Sequence, residues 1–136
     1  MSLNLTLAAT DLERTATFYR KILLLQPELV PNSHTGNSSL RLFFGEMKVV
    51  FQNLQDMEAR HPALLQNLTR DSFGVGVQLE LSYNSLDDVG RMIRYYHWPI
   101  AYERDDQEHQ QRELWLHDPD GYLLVLNEKT EFTASS

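Results

Sequence analysis

The residue types that most often do chemistry are scattered in this sequence and are not set at catalytic or metal-binding spacings. Cysteine is absent, which excludes disulfides, thiolate nucleophiles and thiolate metal sites. No two histidines stand at the spacing of a metal pair, such as i, i+4 on a helix. The five histidines fall in loops, at a helix end, in a polar run or beside a turn: His34, His61, His97, His109 and His117. Each is predicted to be a surface histidine.

Other catalytic signatures are missing as well. The sequence has no Gly-rich phosphate loop, no G-x-S-x-G elbow and no Ser/His/Asp set that its spacing would support. Two carboxylates remain of interest because of the strands that carry them. They are Glu80 and Glu128, and their roles depend on which face of a sheet each one occupies.

The overall charge narrows the classes of partner. A net charge of −7, from 19 acidic and 12 basic residues, argues against nucleic acid, since phosphate binding needs a concentrated basic face. It is compatible with a neutral or cationic small ligand. No apolar run approaches the roughly 20 residues that span a bilayer, and the N-terminus lacks the pattern of a signal peptide. We therefore expect a cytoplasmic protein with no membrane partner.

The periodicity of hydrophobic residues predicts the strands and helices that would position the candidate site residues. Alternation with a period of two predicts strands, and apolar residues at helical spacing predict two helices. The first is capped by Thr10 or Asp11 and the second by Asn84 or Ser85. The stretch His117 to Gly121 reads as a turn built on Asp, Pro and Gly that leads into a buried strand. The predicted strands cover 3–8, 26–30, 40–44, 47–52, 74–81, 100–104, 112–116 and 122–127, and the helices 11–24 and 84–97.

The order of these elements is β-α-β-β-β, twice. A shift of 74 residues lays Leu12 on Leu86 and Phe51 on Val125. We predict one α+β domain, 1–136, made of module 1 (about 1–56) and module 2 (about 72–132) with a linker between them. Neither half could bury its sheet alone, so the two βαβββ modules are expected to form a curved, cleft-bearing mixed sheet with helices on the outside.

At this point the chain resembles the vicinal oxygen chelate superfamily, which includes glyoxalase I, bleomycin resistance proteins and extradiol dioxygenases. The resemblance rests on Asp11 to Leu23 in the first helix and on Arg112 to Tyr122 at the last hairpin. It implies the fold and covers essentially the whole chain. It implies little about chemistry, because the superfamily uses one scaffold for several reactions and for plain binding.

Metal-dependent relatives hold one divalent ion with His or Glu from the first and last strand of each half. Carried over residue by residue, these positions fall on Asn4, Phe51, Gln78 and Val125. None is a strong metal ligand, so the prediction is that no metal site and no cofactor is present. A shift by one residue to Gln52 would not restore a carboxylate, and Glu128 would reach the site only through a bulge.

Glu80 is the acidic group predicted to lie on the cleft face beside Gln78. Buried and unpaired, it would have a raised pKa and could act as a general acid or base. As a solvated residue, or one paired with an arginine, it would have no such role.

Aromatic side chains with a few polar groups describe a small-molecule pocket. The predicted ligand-binding residues are Asn4, Thr6, Phe51, Gln78, Glu80, Tyr102, Trp115 and Val125. The first interpretation is a metal-free protein that sequesters a small, partly aromatic or cationic molecule as a homodimer, as the bleomycin resistance proteins do. The alternatives are a glyoxalase-type lyase, isomerase or dioxygenase with one divalent metal ion at an atypical site or with Glu80 as base, and a cleft filled by side chains.

Overall fold

The computed structural model describes residues 2–31, 38–60, 74, 76–106, 108–109 and 111–128. Its elements follow the order predicted from the sequence, with one added helix. They are β1 Leu3–Ala9, α1 Leu12–Thr17, a π-helical turn Phe18–Ile22, β2 Glu28–Pro31, β3 Ser38–Phe44, β4 Met47–Asn53, α2 Leu54–Arg60, β5 Gln78–Tyr83, α3 Asp87–Tyr95, β6 Tyr102–Asp106, β7 Gln111–His117 and β8 Leu123–Glu128. The chain divides into two compact units, Met1–Phe73 and Gly74–Ser136. The first holds the strands and helix predicted for module 1 and the second those predicted for module 2, and the two names are kept for these units. The histidines at 34 and 61 and most of the predicted linker lie outside the described residues.

Module 1 contains a four-stranded mixed sheet in the order β1-β4-β3-β2. β1 runs parallel to β4, and the other pairs are antiparallel. One face of this sheet carries a row of paired apolar residues, Leu7, Phe51 and Leu40, all buried. Tyr19 of the π-helical turn packs on this row, with its ring centroid 5.2 Å from that of Phe51. The core of module 1 therefore lies between this face and the helix.

Module 2 repeats the arrangement, with a mixed sheet in the order β5-β8-β7-β6. β5 is parallel to β8, and the remaining pairs are antiparallel. Its core face carries Leu124, Leu126, Leu114 and Leu116, each at most 3% exposed. α3 begins over this face, because a carboxylate oxygen of Glu128 accepts the backbone N–H of Leu86 at 2.9 Å. In each module we call the sheet face opposite the core the open face.

The first helix begins where the sequence predicted. Asp11 has an extended backbone, and its side chain accepts the N–H of Arg14, as an N-cap residue does. The helix does not stay regular to residue 24, however. It widens into the π-helical turn and stops at Leu24, whose backbone has φ +57°. Because a left-handed backbone brings Cβ close to the following carbonyl oxygen, this leucine is strained.

Replacing Leu24 with glycine is expected to raise the free energy of unfolding by about 0.5–1 kcal/mol. The left-handed conformation costs an L-residue about 1–2 kcal/mol, of which the added freedom of glycine in the unfolded chain offsets part. The side chain of Leu24 is 44% exposed, so little packing is lost. Urea unfolding measures the change. Leu24→Ala is the matched control, since it trims the same side chain but keeps the strain; an equal gain for both variants would contradict the argument.

The turn between β7 and β8 is held by hydrogen bonds to Asp118. Asp118 is 3% exposed, and its Oδ1 accepts the N–H of Asp120 at 2.9 Å and of Tyr122 at 3.0 Å. The Gly121 N–H donates to the Asp118 carbonyl, and Gly121 has φ +97°. The turn chemistry predicted from Asp, Pro and Gly is confirmed in these bonds.

This turn is one residue longer than its counterpart in module 1. Four residues separate the paired Phe43 and Lys48, whereas five separate the paired His117 and Leu123. The strands before the turn are related by a shift of 74 residues, as Leu40 and Leu114 show, and the strands after it by 75. In the structure, Phe51 is therefore the counterpart of Leu126, and Val50 is the counterpart of Val125.

Within the described ranges, no helix combines the length and the apolar character needed to cross a membrane.

Candidate functional site

The open face of module 2 brings together five of the residues predicted to bind a ligand. Glu80 pairs with Val125, Val125 with Trp115, and Trp115 with Tyr102, so that four neighbouring strands present one residue each. Directly paired residues of a sheet point to the same side. We call this set, Glu80, Val125, Trp115 and Tyr102, the aromatic row. Gln78, two residues before Glu80 on β5, lies on the same face and is exposed.

The two rings of the aromatic row contact each other. Trp115 and Tyr102 have ring centroids 5.6 Å apart with planes at 78°, an edge-to-face arrangement. The indole Nε1 of Trp115 donates to Glu113 Oε2 at 3.1 Å, which fixes the orientation of the ring. Tyr102 is 52% exposed, so this pair presents aromatic surface to solvent. The aromatic row therefore combines the oriented indole of Trp115 with the carboxylate of Glu80 at the other end of the row.

Glu80 belongs to a polar chain on the same face. Its Oε1 accepts from Asn127 Nδ2, and Asn127 Oδ1 in turn accepts from Ser82 Oγ at 2.7 Å. Glu80 is exposed. The general acid–base hypothesis depended on a buried and unpaired carboxylate, and neither condition is met. This solvated carboxylate lies on the same face as the two rings.

The open face of module 1 holds the other two polar residues predicted for the site. Asn4 pairs with Lys48, and Thr6 pairs with Val50. Asn4 and Thr6 are both exposed. Val50 pairs further with Arg41, so that this face also carries a guanidinium group.

Phe51 does not lie on the open face, which corrects the placement predicted from the sequence. It is fully buried on the core face, where it contacts Tyr19. The physical reason is the longer turn of module 2. A shift of one residue moves a strand residue to the opposite face, because side chains alternate with a period of two.

The positions that hold a metal in metal-dependent relatives do not fit one here. With Val50 in place of Phe51, the set is Asn4, Val50, Gln78 and Val125, which contains no imidazole and no carboxylate. Two of the four have no donor atom in the side chain. Within the described part of the chain, no group of three or more His, Cys, Asp or Glu side chains is arranged to hold a metal ion.

Glu128 serves the core side of module 2. Besides accepting the N–H of Leu86, its Oε2 lies 3.5 Å from Arg112 Nη1, and the same nitrogen donates to Asp87 Oδ1 at 2.6 Å. The hydrogen bond from Arg112 lowers the pKa of Asp87, and burial raises the pKa of Tyr83 on the neighbouring strand. Glu128 and Arg112 thus join the sheet to the start of α3 through Leu86 and Asp87. The strand has no bulge that turns Glu128 to the open face.

Sequence reasoning missed several polar residues of the two open faces. On module 2 they include Ser82, Arg104, Glu113 and Asn127, and on module 1 they include Arg41, Lys48 and Glu28. The signal for each was available in the strand alternation. Glu113 stands two residues before Trp115, and Asn127 two after Val125, so each shares a face with a residue already chosen.

Comparison with known proteins gives structural neighbours only. No protein-family model matches the sequence, and no curated protein matches it. A glyoxalase/bleomycin resistance protein/dioxygenase from Nocardioides is similar over 96% of this chain and 84% of its own, with a TM-score of 0.66 and 16% identity. A lactoylglutathione lyase from Agrobacterium tumefaciens is similar over 94% of this chain and 92% of its own, with a TM-score of 0.62 and 17% identity.

A third neighbour is the fosfomycin resistance protein FosX from Listeria monocytogenes, at a TM-score of 0.62 and 15% identity, covering 95% of this chain and 93% of that one. At 15–17% identity, these likenesses show a shared fold. The two mixed sheets with their helices match the glyoxalase/bleomycin resistance fold, and the prediction of that fold is confirmed.

Proposed function

We propose that this chain binds a small, partly aromatic or cationic molecule on the open face of module 2 and works without a resident metal ion. The observation that carries the proposal is the aromatic row, in which an oriented Trp115 and an exposed Tyr102 share a face with the carboxylate of Glu80. Sequestration of the ligand by a homodimer, which the family resemblance implies, belongs to the same proposal.

The chemistry of the row favours an organic cation. The face of an indole or phenol ring attracts a cation within about 6 Å of its centroid. Glu80 and Glu113 both lie on this face, and Glu113 is held against the indole nitrogen by its hydrogen bond. A positively charged ligand that stacks on the ring would also interact with these two carboxylates. The net charge of −7 acts in the same direction.

The enzyme alternative has support from one neighbour, the lactoylglutathione lyase of Agrobacterium tumefaciens. That likeness, at 17% identity, is one of fold. Against it stands the donor set Asn4, Val50, Gln78 and Val125, which contains no imidazole and no carboxylate. Metal analysis of protein purified without chelators separates the two. Stoichiometric Ni, Zn, Mn or Fe would overturn the metal-free proposal.

The binding proposal is tested with aromatic cations. Benzyltrimethylammonium, tryptamine and a cationic glycopeptide are titrated by calorimetry at low salt, with benzyl alcohol as the neutral analogue. We expect at least one cation to bind saturably, and Trp115→Ala to weaken its affinity by about fivefold to thirtyfold, since a desolvated cation–π contact is worth about 1–2 kcal/mol. Gln78→Ala is expected to weaken it by a smaller factor and to leave the fold intact, because Gln78 is exposed.

Tyr95→Ala is the matched control. Tyr95 is an exposed tyrosine of α3, away from the aromatic row, and its removal is expected to leave affinity unchanged. Equal loss in Trp115→Ala and Tyr95→Ala would show that binding does not use the row. Absence of saturable binding by every cation would remove the proposed ligand class.

A further inference from the structure

We propose that the open face of module 1 is a second binding site, which takes an oxyanion (a carboxylate, phosphate or phosphonate) on the guanidinium of Arg41. The inference does not depend on the aromatic row. It concerns the other module, and its ligand group carries the opposite charge.

Arg41 stands in the middle of the module 1 sheet. Its row across the strands is Thr6, Val50, Arg41 and Glu28. Its neighbours along β3, Leu40 and Leu42, are buried on the core face, so the arginine points to the open face. A central strand position holds the start of the side chain in place.

The guanidinium has donors left over. The Nε of Arg41 is buried and has no hydrogen-bond partner among the residues that the structure describes. Within the same residues, no carboxylate lies at ion-pair distance from it. A guanidinium presents five N–H donors and no acceptor, and a buried donor without a partner costs free energy. An acceptor supplied by a ligand would satisfy it.

The surroundings favour an anionic acceptor. Lys48 is the diagonal neighbour of Arg41 on β4, and the backbones of such residues lie about 7–8 Å apart in a sheet. The ammonium group of Lys48 adds a second positive charge to this face. Thr6 on the same row offers a hydroxyl. Phe43, two residues along β3 on the same face, is 58% exposed and could contact an apolar group attached to the anion.

Glu28 is the one carboxylate of this row, and it acts against an anion. It lies on the edge strand β2 opposite Arg41 and is exposed. Since it forms no ion pair with Arg41, it leaves the guanidinium available. Arginine binds oxyanions through two parallel N–H···O bonds, which a neutral carbonyl cannot match in strength.

The test is a titration followed by NMR chemical shifts at fixed ionic strength. The probes are inorganic phosphate, phenylphosphonate, acetate and benzoate. We expect saturable binding with shifts at Arg41 and Lys48. The phosphorus and carboxylate arms show which oxyanion is preferred, and tighter binding of the two aromatic probes would show that Phe43 contributes.

Variants assign the site to Arg41. Arg41→Met keeps the aliphatic stem and is expected to weaken the preferred probe by at least about tenfold while the melting temperature stays the same or rises. Arg41→Lys keeps the positive charge but not the paired N–H donors of the guanidinium, and its affinity for the probe is expected to fall between those of the wild type and Arg41→Met. Lys48→Met is expected to weaken binding and Glu28→Gln to strengthen it, each by a few-fold. Arg20→Met, an exposed arginine of the same module, is the control for net charge.

Two results would overturn the site. The first is no saturation of the wild-type protein by any of the four probes up to about 50 mM, which is weaker than the millimolar range of a weak specific complex. The second is unchanged binding in Arg41→Met. If Arg41→Met fails to fold, the guanidinium holds module 1 together. The opposite shifts expected for Lys48→Met and Glu28→Gln then decide whether it also binds an anion, and no change in either rejects the site.

Discussion

Replacing Phe51 with alanine is expected to lower the free energy of unfolding by about 3–5 kcal/mol. Phe51 has no exposed surface, pairs with Leu7 and Leu40 across the sheet, and contacts the ring of Tyr19. The variant would lose both the transfer free energy of the ring and its contacts, and it would leave a cavity between sheet and helix. Chemical unfolding measures the change, and we expect a large part of the protein's stability to be lost.

The adjacent residue gives the control. Val50 lies on the opposite face, and Val50→Ala removes two methyl groups, worth about 1–2 kcal/mol. If Phe51 lined a ligand site instead of the core, Phe51→Ala would cost no more than Val50→Ala and would act on ligand affinity. That outcome would reverse the assignment of faces in module 1.

The second large effect is expected for Gly74→Ala, at about 3 kcal/mol. Gly74 has φ +81°, and a Cβ at this position would lie 2.7 Å from Tyr122 Cδ1 and 3.0 Å from Tyr122 Cα. The ring of Tyr122 is 4% exposed and the second atom is backbone, so neither can move easily. The left-handed backbone costs about 1–2 kcal/mol and overpacking a further 1–3 kcal/mol.

A substitution at Gly76 separates the cost of the left-handed backbone from the cost of overpacking. Gly76 has nearly the same backbone, with φ +78°, but a Cβ there would meet nothing within 4 Å. Gly76→Ala is therefore expected to cost only the conformational share, about 1–2 kcal/mol. Thermal unfolding of the two variants side by side measures the difference. Equal losses would mean that the contact with Tyr122 carries no weight.

Much of the fold follows from local sequence signals. The alternation of Leu3, Leu5 and Leu7 predicted β1. The start of the first helix was predicted with Thr10 or Asp11 as N-cap, and Asp11 takes that role. The β-α-β-β-β order, found twice, is what the structure shows. The π-helical turn could not be predicted in the same way. Its apolar residues satisfy helical spacing whether each N–H bonds four or five residues back, so the pattern does not distinguish the two.

The faces of the candidate site residues were predictable in one module and only in part in the other. In module 2, Gln78 and Val125 were carried over from the family pattern and Glu80 was placed beside Gln78, and the structure has all three on one face. In module 1 the face of Phe51 was inferred by counting residues from module 2, and the count crosses a turn of different length. Local alternation from Leu40 or Leu42 alone would have kept Phe51 with the core.

The extra residue in the turn after β7 has a consequence for anyone who would build on this scaffold. The two modules look interchangeable by numbering, and an engineer wishing to install a symmetric pair of carboxylates would copy a choice at Val125 to Phe51. A carboxylate at position 51 would be buried against Tyr19 and would destabilise the protein. The position equivalent to Val125 is Val50. Equivalent positions in the two modules are therefore found from the hydrogen-bonded strand pairs, and a constant offset in residue number gives the wrong residue.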